Sequence, residues 1–190
     1  AIRQPRSERP PGRPKWQSRY HGVRMTPEQY LALPEEKPYL EYVDGMVLQK
    51  PMPTKPHSKL AGKIITRIGI WIESYGGEVG PEARTRAGNC RIIAYPMPRS
   101  ESRNKGSDDL PKLAVEAAPD QTLAELRRKC RFFRENGTFA CWRIDPNSRT
   151  AQIFEGERDG ERLGPDGILE SACMPGFSLP LAQPFAVLDD

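Results

Sequence analysis

Apolar side chains recur along this chain at two spacings, and each change of spacing marks an element. Leu60, Ile64, Ile68, Trp71, Ile72 and Tyr75 repeat every three or four residues, which predicts an amphipathic helix over about 57–75. Gly76-Gly77 ends it, because glycine adopts the backbone angles of a helix terminus without a Cβ clash. Leu123, Leu126, Cys130 and Phe133 give a second helical stripe, capped by Thr122 with Glu125 in capping-box position and closed at Asn136-Gly137. A third, short helix opens at Thr26-Pro-Glu-Gln29 and is expected to run to about Leu33, where Pro34 stops it.

Between the helices the period falls to two. Residues 39–43 and 46–49 flank Asp44-Gly45, a two-residue hairpin turn. Residues 82–87 and 90–95 flank Gly88-Asn89, and Leu113-Ala-Val-Glu-Ala117 is a strand with one acid in an apolar run. Residues 139–144 and 150–154 form a further hairpin around Asp145-Pro-Asn-Ser148. Residues 174–181 are expected to pack as an extended segment at the domain edge. The sum is an α/β (α+β) chain: a mixed sheet flanked by helices, with a right-handed strand–helix–strand crossover over 113–144.

Charge divides the 190 residues unevenly. Residues 1–24 hold seven basic side chains (Arg3, Arg6, Arg9, Arg13, Lys15, Arg19 and Arg24) against Glu8. Of the net +4, that segment contributes +6 and the remainder −2. Pro5, Pro10, Pro11 and Pro14 favour extended backbone there. The expected organisation is a basic tail over 1–24, a domain over 25–186 and an end piece over 187–190. The tail suits DNA or an acidic protein partner, with Trp16 and Tyr20 available for stacking. A solvated leader without a specific partner is the other reading.

No apolar run reaches the length of a membrane span, and the basic start has no apolar segment behind it, so a cytoplasmic location is expected. Cys90, Cys130, Cys141 and Cys173 lack the paired spacing of a zinc site and are expected as buried thiols. His21 and His57 are too few to build a metal cluster, and His57 is expected as a cap or surface residue.

One ordered set of short segments carries a resemblance. It runs Thr26-Pro-Glu-Gln-Tyr-Leu31, Glu41-Tyr-Val-Asp-Gly45, His57-Ser-Lys-Leu60, Pro81-Glu-Ala-Arg84, Tyr95-Pro96, Val115-Glu116, Lys129 with Phe133, Asn136-Gly137, Trp142-Arg-Ile-Asp-Pro146 and Leu179-Pro-Leu181. In this order the chain resembles the PD-(D/E)XK nuclease superfamily, and within it the large bacterial family of putative restriction endonucleases expanded in cyanobacteria. The resemblance implies a restriction-endonuclease-like fold and Mg²⁺-dependent hydrolysis of DNA, often by a homodimer. Two acids must then converge on the cation, with a lysine to stabilise charge.

Carried over by position, Glu116 is the strand acid and metal ligand, Lys129 the helix lysine, and Glu41 an acid facing the same site. The acid expected after Pro96 is replaced by Met97, whose soft, neutral thioether is a poor Mg²⁺ ligand. Glu82, Glu101 and Asp108 are candidate substitutes for it. Two functions are therefore expected: an endonuclease with a degenerate site, or a nuclease-fold subunit that no longer cuts and binds a partner protein or nucleic acid. Arg84, Arg86 and Arg91 alternate along strands and suit either phosphate or a solvated sheet face.

Overall fold

The computed structural model describes residues 17–34, 37–43, 45–50, 54–85, 88–96, 111–117 and 123–189. The chain divides into two compact units, Ala1–Pro51 and Met52–Asp190.

The first unit is built on a hairpin. Strand β1 (Leu40–Val43) pairs antiparallel with β2 (Met46–Gln49), and Gly45 takes the positive φ of 77° that the tight connection needs. Helix α1 (Pro27–Leu31) starts at Thr26, whose side chain accepts from the Gln29 N–H while Gln29 returns a bond to the Thr26 N–H. It ends two residues earlier than expected: Ala32 is already the C-cap. Tyr30, Leu40, Tyr42 and Val47 form the core, and the rings of Tyr30 and Tyr42 stack 5.1 Å apart.

The segment expected to stay extended through residue 24 is folded from residue 17 onward. Gly22 donates to the Val47 carbonyl, Val47 donates to Val23, and Arg24 bridges Met46 on the hairpin edge. Gln49 N–H donates to His21 Nδ1, and Ser18 N–H donates to Gln49 Oε1. The unpaired edge of a two-stranded ribbon has backbone groups to satisfy, and these residues satisfy them. Arg3, Arg6, Arg9, Arg13, Lys15 and Trp16 lie outside the described residues.

The second unit is a six-stranded sheet in the order β3-β4-β5-β6-β7-β8. Its strands are β3 (Gly77–Thr85), β4 (Gly88–Pro96), β5 (Leu113–Ala117), β6 (Ala140–Asp145), β7 (Thr150–Glu155) and β8 (Arg158–Leu163). All neighbours are antiparallel except β5 and β6, which run parallel and are joined through helix α3 (Leu123–Glu135). Helix α2 (Lys55–Tyr75) buries Leu60, Ile64 and Ile68 of the expected stripe, with Ala61 beside them. Gly76, at φ 113°, ends it directly against β3.

Three expectations change here. Thr85 pairs with Gly88, so Gly88 and Asn89 are strand residues and not the turn. Strand β8 was unforeseen because Arg-Asp-Gly-Glu-Arg-Leu has no apolar alternation. It is an edge strand, where charged residues discourage pairing with other chains. Residues 174–181 are core rather than edge: Met174, Phe177, Leu179 and Leu181 are buried with Trp142 and Ile64 in the main cluster. Beside them, β9 (Ile168–Leu169) and β10 (Leu179–Pro180) pair as a small second sheet ahead of α4 (Ala182–Phe185).

Alternation sorts the sheet into two faces. Leu113, Val115, Trp142, Ile144, Ala151 and Ile153 join the cluster that includes the α2 stripe. Ile93, Ala114, Cys141 and Phe154 pack with Cys130 and Phe133 of α3. Among the described residues no helix is long and apolar enough to cross a membrane.

Candidate functional site

Glu116 follows Val115 on β5, so the two-residue period turns it away from the α2 cluster and onto the α3 side of the sheet. Lys129 sits one turn before the buried Phe133 on α3, on the inward side of that helix. The two termini meet: Lys129 Nζ lies 2.9 Å from Glu116 Oε1, with 9% and 6% of the side chains exposed. The ammonium is within ion-pair distance but outside hydrogen-bond alignment, so Oε1 has no directed donor among the described residues. Both charges are out of water, so their attraction offsets a desolvation penalty that either would suffer alone.

Arg143 is the register partner of Glu116 on β6. Its guanidinium donates to Gln152 Oε1 at 3.1 Å and lies 3.7 Å from Asp145. Sequence reasoning placed Trp142-Arg-Ile-Asp in the resemblance without assigning Arg143 a role. The signal was present: a charged residue at the alternate positions of an otherwise buried strand must find a polar partner.

Strand register revises the place of the missing acid. Ile92, Ile93 and Ala94 pair with Val115, Ala114 and Leu113, so each step toward Glu116 on β5 is a step backward along β4. Asn89, Cys90 and Arg91 therefore occupy the β4 end beside Glu116, while Pro96 lies at the opposite end, paired with Gly77. Arg91 and Pro96 are five residues apart, roughly 16 Å of strand. The residue after Pro96 was expected to be the acid beside Glu116. Pro96, the residue before that position, is thus at the far end of β4 from Glu116. Met97, Glu101 and Asp108 lie outside the described residues, as do Arg86 and the side chains of Glu82, Arg84 and Arg91.

A divalent cation needs at least two converging hard oxygens. No group of three or more His, Cys, Asp or Glu side chains able to hold a metal occurs among the described residues. Glu116 is faced by an ammonium and flanked in register by an arginine.

The remaining candidates belong to other elements. Glu41 is buried on β1 of the first unit, in register with Leu48. Arg19 is exposed, with its guanidinium 4.7 Å from the centre of the Tyr20 ring, and Arg24 is exposed on the hairpin edge. His57 is buried, not on the surface, and its Nδ1 lies 2.9 Å from Oγ1 of Thr54, the N-cap residue of α2. Asp44 and Glu125 fall outside what is described of side chains.

The outer face of α3 is basic. Arg127, Arg128 and Arg131 are exposed and Arg134 is half-buried, on the helix that also supplies Lys129. Arg131 pairs with Asp159 of β8 and holds that carboxyl below its ordinary range, chiefly through the side-chain hydrogen bond. Arg134 donates to the Gly156 carbonyl at 2.8 Å. A cavity of about 570 Å³ lies beside Arg131, Arg134 and the exposed ring of Phe139; neither Glu116 nor Lys129 lines it.

The model of the Uma2 family, described as putative restriction endonuclease, matches residues 27–182. The crystal structure of a putative nuclease belonging to DUF820 from Anabaena variabilis ATCC 29413 is similar, with a TM-score of 0.71 and 21% sequence identity. The likeness covers 86% of this chain and 99% of that one, and at such identity it speaks for the fold. Among curated proteins none matches.

Proposed function

The chain belongs to the Uma2 family of putative restriction endonucleases, and from that membership we propose a PD-(D/E)XK-type protein that binds DNA and whose hydrolytic site is degenerate. The observation that carries this reading is the closed Glu116–Lys129 pair: the acid and lysine of a phosphodiester site are retained, but the acid is neutralised by the lysine. Strand neighbours Asn89, Cys90, Arg91 and Arg143 bring no second carboxylate. Glu116 is then a partner for Lys129 rather than a cation ligand. DNA contact falls to the exposed arginines of α3 and the basic residues Arg3, Arg6, Arg9, Arg13 and Lys15, which suit phosphate by charge.

A second reading keeps the chain an active Mg²⁺-dependent endonuclease, with its other acid supplied by Glu82, Glu101 or Asp108. The convergence of Glu116 and Lys129 from separate elements favours it, since that juxtaposition is what the chemistry requires. Supercoiled-plasmid nicking with Mg²⁺ and Mn²⁺, alongside DNA binding, separates the two. Wild type is expected to bind the plasmid without nicking it. Robust nicking that disappears in Glu116→Gln overturns the degenerate site and establishes the second reading.

A further inference from the structure

The sulfurs of Cys130 on α3 and Cys141 on β6 lie 2.6 Å apart, inside the second unit's smaller core cluster, and both residues are fully buried. Non-bonded heavy atoms normally stay about 3.5–4.0 Å apart. A disulfide joins sulfurs at about 2.05 Å, so these two stand roughly half an ångström from bonding distance. Displacement of that size is ordinary thermal motion in a folded protein. The third thiol described, Cys173, hydrogen-bonds Ser171 instead and is held above its ordinary pKa by burial. Of the three thiols described, one pair is thus poised for each other, and nothing in the nuclease reading uses it.

We propose that Cys130 and Cys141 are a redox-reactive pair whose disulfide clamps α3 to β6. With glutathione disulfide as oxidant, the thiolate of one cysteine attacks it, expelling one glutathione and forming a mixed disulfide. The second cysteine attacks the protein sulfur of that mixed disulfide, and the second glutathione leaves. Two protein thiols lose two electrons and two protons, and one glutathione disulfide becomes two glutathione thiols. The reaction needs local opening of α3 from the sheet, because neither sulfur is exposed. Cys130 adjoins Lys129, so the clamp also fixes the helix turn that carries the ammonium over Glu116. The proposal stands independently of whether the chain cuts DNA.

The test refolds the full chain in buffers of graded reduced-to-oxidised glutathione ratio, traps free thiols by alkylation and maps the peptides. A linked Cys130–Cys141 peptide is expected at ratios where Cys90 and Cys173 remain alkylated. The oxidised chain should weigh two hydrogens less and melt about 5–10 °C higher, from the closed loop of eleven-residue separation. Cys130→Ala and Cys141→Ala should each abolish both the linked peptide and the shift. Alkylation of Cys130 and Cys141 at every ratio, or linkage through Cys90 or Cys173, overturns the pair. A link that forms without raising the melting temperature overturns the clamp.

Discussion

Glu116 and Lys129 are each close to the limit of what a protein interior tolerates, and each is tolerable because of the other. Removing one partner of a buried pair leaves an uncompensated charge, at a cost of about 3–5 kcal/mol. Lys129→Met is therefore expected to lower unfolding stability by about that amount, read from urea denaturation at unchanged m-value. The double variant Glu116→Gln with Lys129→Met should recover most of the loss, since no charge is then stranded. A single variant within about 0.5 kcal/mol of wild type would mean the pair contributes little and is retained for another reason.

Two elements are held at their edges by contacts that can be titrated or cut away. Arg131 of α3 reaches Asp159 of β8 and lowers its pKa from the ordinary 3.8. The folded chain thus binds this proton less readily than the unfolded one. The stabilisation is present above pH 3.8 and is lost as pH falls through the lowered folded value. The stability difference between wild type and Asp159→Asn should accordingly shrink as pH is taken from about 6 to about 2; a constant difference would show that the ion pair is not its source. In the first unit, deletion through residue 24 removes the Gly22–Val47 and Val23–Val47 bonds and the Arg24 bridge. A loss of about 2–4 kcal/mol is expected, at roughly 1 kcal/mol per backbone hydrogen bond plus the packing of Tyr20. Unchanged thermal denaturation after that deletion would count against the hairpin edge as a structural partner.

For the whole molecule the relevant quantity is where its charge lies. Helix α3 alone carries Arg127, Arg128, Lys129, Arg131 and Arg134 against Glu125 and Glu135. Lys129 is committed to Glu116, Arg131 to Asp159 and Arg134 to a carbonyl. Arg127 and Arg128 are exposed on the same helix. If this face tracks DNA, Arg127→Ala with Arg128→Ala should weaken duplex binding and reduce the slope of log K against log salt by about 1–2. Fluorescence anisotropy across a salt series measures it, and an unchanged slope would move the DNA surface elsewhere.

Hydrophobic spacing alone determined the order helix, hairpin, long helix, strands, helix, hairpin, because burial imposes periods of 3.6 and 2 wherever one face packs. Thr26, Gly45 and Gly76 marked local ends through backbone chemistry that involves only their near neighbours. Glu116 was legible as a candidate for the same kind of reason, since a charge inside an apolar run must have a partner; Lys129, flanked by Arg127, Arg128 and Arg131, was legible only through the family resemblance. Register was not legible. Which residue of β4 stands beside Glu116 depends on pairing between strands separated by a long connection, and tertiary structure placed Asn89–Arg91 there and Pro96 at the other end. The same holds for β8, whose polar sequence has no burial signal, and for residues 174–181, whose apolar positions show no period but fill the core. Cys130 and Cys141 make the point most simply. Their sequence separation says nothing about contact, and it is the packing of α3 on the sheet that brings the two sulfurs together.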